Sequence, residues 1–365
     1  MASSDIPPQD GRLYGAGLPT LLRQIPTFAV ALLGGYLFDL ADVPLGWMIG
    51  ALVFSALFSW GFAVSMPPRT RPMALVVLGA SFGTGASPEI IAEVIERLPW
   101  MVLASLLTLV TGALLTRPLA AIARLDPRSA FFCAVPGGVT VMPVLAEAAG
   151  ADTRPVTLSQ TMRMVLVVLL VPPAVIALGA GAGAEPFHAT STPVEPLVLT
   201  LFLAASLGAA YAMKYVRAAN PWILGPLFLS IGLTATFGAP SGFPRWMIAL
   251  AQVAMGAGLG VKLNRSFVLG SARLLIASAL STLFLGLLLG LLASVLARAS
   301  GLSLGAVLLG MAPGGTPEMV VTAAALEVAV PMVLAFHLVR MVASNVLIAP
   351  MWAAVRRKPG FGRSA

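Results

Sequence analysis

Two arginines stand inside runs of apolar residues, where a charge needs a reason to be. Arg163 follows Gln160 by three positions and Arg340 follows His337 by three, each deep in a stretch made mostly of Val, Leu, Met and Ala. Arginine at the centre of a membrane helix costs about 2.5–3.5 kcal/mol on insertion scales, so it must face protein, water or a ligand. Thr157, Gln160 and Arg163 fall on one helix face, as do His337, Arg340 and Ser344, because residues three, four and seven apart are neighbours. Three roles are open to such a guanidinium. It can hold carbonyls released by a nearby helix break, contact an anionic solute, or reach back to the membrane surface.

Upstream of each arginine lies an element that breaks a helix. The run AVPGGVTVM at 134–142 returns as MAPGGTPEM at 311–319, 177 positions later, and Arg163/Arg340 and Pro173/Pro350 keep the same offset. Proline removes a backbone donor and clashes with the preceding turn, while glycine weakens the helix further. Backbone that leaves the helix inside a membrane must be shielded, because unsatisfied amides cost several kcal/mol in hydrocarbon. Where it is shielded, free N–H groups and helix N-termini attract anions, and free carbonyls attract cations. Thr316 fits an N-cap, with Pro317 in the favoured first turn. Glu318 has no first-half counterpart; it is open between carrying a coupling proton, ligating a cation and pairing with an arginine. The candidate solute- and ion-binding set is therefore Pro136, Gly137, Gly138, Thr140, Gln160, Arg163, Pro313, Gly314, Gly315, Thr316, Glu318, His337 and Arg340. His337 reads as a hydrogen-bonding partner of Arg340. Phosphate-binding and dinucleotide glycine loops and Cys/His metal spacings are all missing from the sequence, so no catalytic, metal or cofactor residue is assigned. Glu147 and Glu327 read as solvated ends of the two elements, and Asp152 with Arg154 as a turn.

Composition says what must position these residues. Of 365 residues, 58% are hydrophobic and 10% charged, against about 25% charged in a soluble domain. With mean hydropathy +0.95, the chain reads as an integral membrane protein. Apolar runs fall near 23–39, 44–62, 72–88, 99–121, 129–149, 155–179, 194–213, 221–239, 244–261, 271–297, 302–326 and 330–354. The acidic stretch 89–96 reads as a short interfacial helix. Gly79/Gly83 and Gly256/Gly260 form small-xxx-small patterns that permit close helix approach. Cys133 is the only cysteine, which excludes a disulfide within the chain. The net charge of +8 lies in short clusters between apolar runs rather than in one stripe, so nucleic acid is not an expected partner. The basic run Arg356-Arg357-Lys358 suits anionic lipid, and the polar N-terminal segment predicts no removable signal peptide.

Charge placement chooses between two topologies. If all twelve segments cross, 13 of the 22 Lys and Arg lie inside and 7 outside. If both Pro-Gly-Gly segments enter and return, 17 lie inside and only Arg97, Arg245 and Arg298 outside. The positive-inside rule favours the second arrangement. The expected fold is an all-α integral membrane protein of two inverted repeats, each with five transmembrane helices plus a Pro-Gly-Gly re-entrant hairpin. The alternative is twelve transmembrane helices in parallel repeats. The boundaries follow as a cytoplasmic segment 1–22, a first repeat 23–179, an external linker 180–193, a second repeat 194–354 and a basic cytoplasmic tail 355–365.

The duplicated Pro-Gly-Gly element, followed by a polar residue and Arg163 or Arg340 three positions on, resembles the membrane AbrB-duplication family over roughly residues 20–355. Members are often labelled ammonia monooxygenase or AbrB-family regulator. Neither label suits these residues. A copper oxygenase needs clustered His and carboxylate ligands, and the chain has two distant histidines; a DNA-binding regulator needs a soluble basic module. At fold level the plan also looks like sodium- or proton-coupled carboxylate carriers. The expectation is a secondary transporter of a small anionic solute in a bacterial inner membrane, both termini cytoplasmic, coupled to sodium or protons and without a cofactor. A ligand sensor or partner subunit without transport is the alternative, and an enzyme is not expected. Solute and membrane lipid are the expected partners, and a homo-oligomer is left open.

Overall fold

A computed structural model of the chain describes residues 19–85, 88–138, 141–180, 192–216, 218 and 220–356. Its first half supplies α1 (Thr20–Leu40), α2 (Gly46–Phe58), α3 (Thr70–Gly83), α4 (Pro88–Glu96), α5 (Leu98–Leu114), α6 (Thr116–Ala123), α7 (Pro127–Ala134), α8 (Val141–Ala148) and α9 (Thr153–Ala177). The second half supplies α10 (Pro196–Tyr215), α11 (Pro221–Phe237), α12 (Arg245–Gly260), α13 (Arg265–Gly270), α14 (Ala272–Ser300), α15 (Leu304–Met311), α16 (Thr316–Ala325) and α17 (Val330–Val355). Each apolar run of the sequence coincides with a helix or with a pair of short helices. The 89–96 stretch is α4, whereas the six-residue α13 had no apolar signal and was not expected. Among the described residues, five helical spans are long and apolar enough to cross a membrane: Leu98–Ala123, Thr153–Ala177, Pro196–Tyr215, Ala272–Ser300 and Val330–Val355.

Polar residues set several helix starts. Asp126 accepts from Arg128 N and Ser129 N at 3.0 and 2.9 Å to cap α7, with Pro127 in the first turn. Asp152 accepts from Arg154 N at 2.9 Å to cap α9, and Ser303 accepts from Ala306 N at 3.3 Å to cap α15. Each bond satisfies a donor that the first helical turn leaves open. Glu147 and Glu327 are exposed, as expected of element ends.

The helices sort into two compact units, and each unit draws on both halves of the sequence. One is built from residues up to Gly85 with Ala189–Ser271, the other from Ala86–His188 with Ala272–Ala365. Within the first unit α3 packs on α11 and α12 packs on α2, a reciprocal exchange between the halves. The small-residue pairs make it possible. A Cβ at Gly79 would lie 2.5 Å from Ile223 O, and a Cβ at Gly256 would meet Met48 O. Ala31, Ala51, Val253 and Ala257, all fully buried, form a core in which backbones meet closely, as small residues allow in membrane helices. The second unit shows the same exchange, α14 packing on α9 and α5 on α17.

Candidate functional site

In the second unit α7 ends because of the proline that follows it. The ring Cδ drives the preceding residue out of the helical region, and Val135 stands at φ −71° and ψ 130°. Ala312, before Pro313, stands at φ −53° and ψ 131° and ends α15 in the same way. Helix resumes at Val141 in the first break and at Thr316 in the second. The second cap is Gly315, at φ −73° and ψ 146°, with no side-chain capping bond. Thr316, expected as the cap, is one residue too late: the extended stretch ends at Gly315, and Thr316 is already helical. Methionines close over the first glycine of each break. A Cβ at Gly137 would lie 2.8 Å from Met142 Cγ, and one at Gly314 would lie 3.1 Å from Met319 Cγ.

The ends of each broken segment come back together. Arg128 Nη1 donates to Gly150 O at 3.1 Å, and Asp152 N donates to Ser129 Oγ at 3.0 Å, so the start of α7 meets the end of α8. At the start of α15, a Cβ on Gly305 would lie 3.1 Å from Val328 Cγ2, just beyond α16.

Each break frees carbonyls that a continuous helix would have bonded. In the first, Gln160 Nε2 donates to Phe132 O at 2.9 Å and Val135 O at 3.1 Å, and Arg163 Nη1 donates to Val135 O at 3.3 Å. In the second, His337 Nε2 donates to Leu309 O at 3.0 Å, while Arg340 donates through Nη1 to Ala312 O and through Nη2 to Gly314 O at 2.9 Å. Phe132/Leu309, Val135/Ala312, Gln160/His337 and Arg163/Arg340 are all 177 positions apart, so the two clamps are copies. They also meet. Arg163 Nε donates to Pro313 O at 3.1 Å, so one guanidinium holds carbonyls of both breaks.

The polar partner of each arginine is an acceptor. Arg163 Nη2 donates to Gln160 Oε1, and Arg340 Nη2 donates to His337 Nδ1 at 2.7 Å. Because arginine only donates and a carbonyl only accepts, His337 carries its hydrogen on Nε2, toward Leu309. Arg163 is 5% exposed and Arg340 8%, with Gln160, Glu318 and His337 buried. Holding released carbonyls is thus the role both arginines display, and neither reaches the surface. Thr157 leaves the expected stripe: it is exposed and bonds back to Thr153 O at 2.9 Å.

The rest of the candidate set falls around this clamp. Pro136 and Pro313 are buried; Gly137, Gly314, Gly315 and Thr316 are half-buried and Gly138 is exposed, so the accessible part of the cluster is largely backbone. Thr140 lies outside the described residues. Glu318 sits in the first turn of α16 with its carboxylate over Gly315, where a Cβ would also lie 3.2 Å from Met164 Cε of α9. Residue types did not reveal Ser159 and Ser278, which extend the polar line: Ser278 Oγ donates to Ser159 Oγ at 3.0 Å, and Ser159 Oγ to Cys133 O at 3.3 Å. The one signal available was that Ser159 adjoins Gln160. Among the described residues no three of His, Cys, Asp and Glu come together as a metal site.

Fold and site together define a class: a helical protein of the membrane type, with two matched helix breaks each clamped by a buried arginine, one of which, Arg163, also ties the two together. A family model described as Transition state regulatory protein AbrB matches residues 47–356. The chain belongs to the AbrB family. It is similar to the "Uncharacterized protein YhjN" of Bacillus subtilis (strain 168), 28% identical over 93% of this chain and 95% of that one. It is also similar to the "Putative regulator AbrB" of Escherichia coli (strain K12), 24% identical over 82% of this chain and 86% of that one.

Proposed function

We propose that the protein is a secondary active transporter that moves a small organic anion by alternating access. The observation that carries this reading is the Arg163 bridge, which joins Val135 O of one break to Pro313 O of the other. Two guanidinium groups and one carboxyl, Glu318, are buried in one cluster, an excess of positive charge that favours an anionic solute. The N-terminus of α16 adds backbone donors and the positive end of a helix dipole. Since each guanidinium has five N–H groups, clamping carbonyls does not exhaust its capacity to donate. In this reading Glu318, beside the break, or His337 takes part in coupling to Na+ or H+. Both breaks belong to one unit, so alternating access would carry them as one body.

The re-entrant topology is part of the same proposal. The return of Gly150 to Arg128 supports a hairpin that leaves by the side it entered. Reciprocal packing of the halves is what a two-fold relation produces, and five crossings per half would make that relation an inverted one. Both termini would then face the cytoplasm. A second reading, a ligand sensor that does not transport, draws on the structural use of both arginines as clamps on backbone carbonyls and on the regulator name of the Escherichia coli relative. Thermal-shift screening of purified protein against organic acids and amino acids, with and without sodium, tests the site. An organic anion should raise the melting temperature by several degrees. Stabilisation by cations or neutral solutes alone contradicts an anion site.

A further inference from the structure

The second unit contains a cavity that the arginine side chains do not line and that the second break closes at one end. It encloses about 420 Å³ between α9, α14 and α15. Its walls include Leu170 and Ala174 of α9, Leu178 just after it, and Leu283, Leu287 and Leu291 of α14, and its inner end is Ala312 and Pro313 of the second break. Leu170, Leu178, Leu287 and Leu291 are all exposed, so the cavity is a furrow open along its length rather than a closed void. Two glycines cut it: Gly286 has no neighbour within 4 Å of a Cβ position, and Gly290 has only Leu308 Cδ2 at 4.0 Å. Their missing side chains are the space.

Shape and charge identify an occupant. From Leu166 to Leu178 the furrow follows α9 for about 18 Å at a rise of about 1.5 Å per residue, close to the ~15 Å depth of one leaflet's acyl chains. It ends at Leu178, just past α9, and at Ser294 on α14. One turn further along α14 Arg298 is exposed, on the helix face shared by Ser294, Leu291 and Leu287, which line the furrow. A helical side chain leans back toward the N-terminus, here toward Ser294. An apolar slot one chain long with a cation at its mouth fits an amphiphile with an anionic head.

We propose that this furrow is a specific site for one anionic membrane phospholipid. Its headgroup pairs with Arg298, and one acyl chain runs between α9 and α14 to end on Pro313. The chain terminus then touches the backbone whose carbonyls hold the arginines, at Ala312 and Pro313. The bound lipid therefore braces the second break from outside. This site does not depend on transport.

Native mass spectrometry of delipidated protein titrated with phosphatidylglycerol or phosphatidylcholine tests it. One phosphatidylglycerol should bind at least tenfold more tightly than phosphatidylcholine. Gly290→Leu, which fills the furrow, should remove that tight binding, and Arg298→Gln should remove the headgroup preference while leaving weak binding of both lipids. Unchanged phosphatidylglycerol affinity in Gly290→Leu overturns the proposal, as does tight retention of a free fatty acid or another apolar molecule in place of phospholipid. Should Gly290→Leu fail to fold, a diazirine placed on the acyl chain of phosphatidylglycerol gives the answer in the unmodified protein. Crosslinks to peptides of α9, α14 and the second break support the site, and crosslinks confined to other helices refute it.

Discussion

At the scale of single residues, the two clamps use different side chains for one task. Gln160 and His337 occupy matching positions; each donates to a carbonyl of its break and accepts from its arginine. Glutamine carries a donor and an acceptor on one amide, and neutral histidine carries them on two ring nitrogens. His337→Gln should therefore keep stability within about 1 kcal/mol, whereas His337→Leu strands Leu309 O and should cost roughly 1–3 kcal/mol. Thermal unfolding of both variants in the same detergent decides this, and equal losses would show that the ring matters for its volume alone. Arg163→Lys keeps the charge but loses the planar fork that reaches Val135 O and Pro313 O at once. It should lower the melting temperature markedly and reduce binding of any stabilising anion at least tenfold. Wild-type behaviour in both assays would remove the bridge from the mechanism.

Among elements, much was legible because apolar runs and prolines act locally. The breaks after Val135 and Ala312 follow from Pro136 and Pro313, whereas the caps at Asp126 and Asp152 were not among the expectations, which gave Asp152 only a turn. The clamp was legible only in part. Arg163 and Arg340 announced themselves by charge in an apolar setting, but their acceptors are backbone carbonyls, which carry no residue signature. That Arg163 also reaches Pro313, 150 positions away, depends on how helices pack and leaves no local trace. Thr316 missed the cap by one residue because a glycine, which has no capping side chain, took the position. The glycine pairs of α3 and α12 give a direct check on packing. Gly79→Leu and Gly256→Leu drive a side chain into the neighbouring backbone and should each cost about 1–3 kcal/mol. Gly208→Ala and Gly232→Ala, with open space at Cβ, should be neutral or stabilise by up to about 1 kcal/mol. Loss of stability in the alanine pair equal to that in the leucine pair would contradict the packing described.

For the molecule as a whole, neither the partition into two units nor their reciprocal packing could be read from a linear repeat, because each unit combines helices from both halves. The proposed topology makes a sharp prediction about side. In a Cys133→Ser background, Arg124→Cys and Ala151→Cys, which flank the first broken segment, should both label from the cytoplasm. Ala299→Cys and Ala325→Cys, which flank the second, should both label from outside. Labelling of either pair from opposite sides overturns that hairpin, and of both pairs restores twelve crossings. Transport itself is tested most directly by counterflow in proteoliposomes loaded with the organic anion that most stabilises the purified protein. Wild type should accumulate the labelled anion above equilibrium, and Arg340→Lys at equal reconstituted density should do so at least tenfold more slowly. An anion that binds wild type yet shows no counterflow, or counterflow unchanged in the lysine variant, would contradict the account.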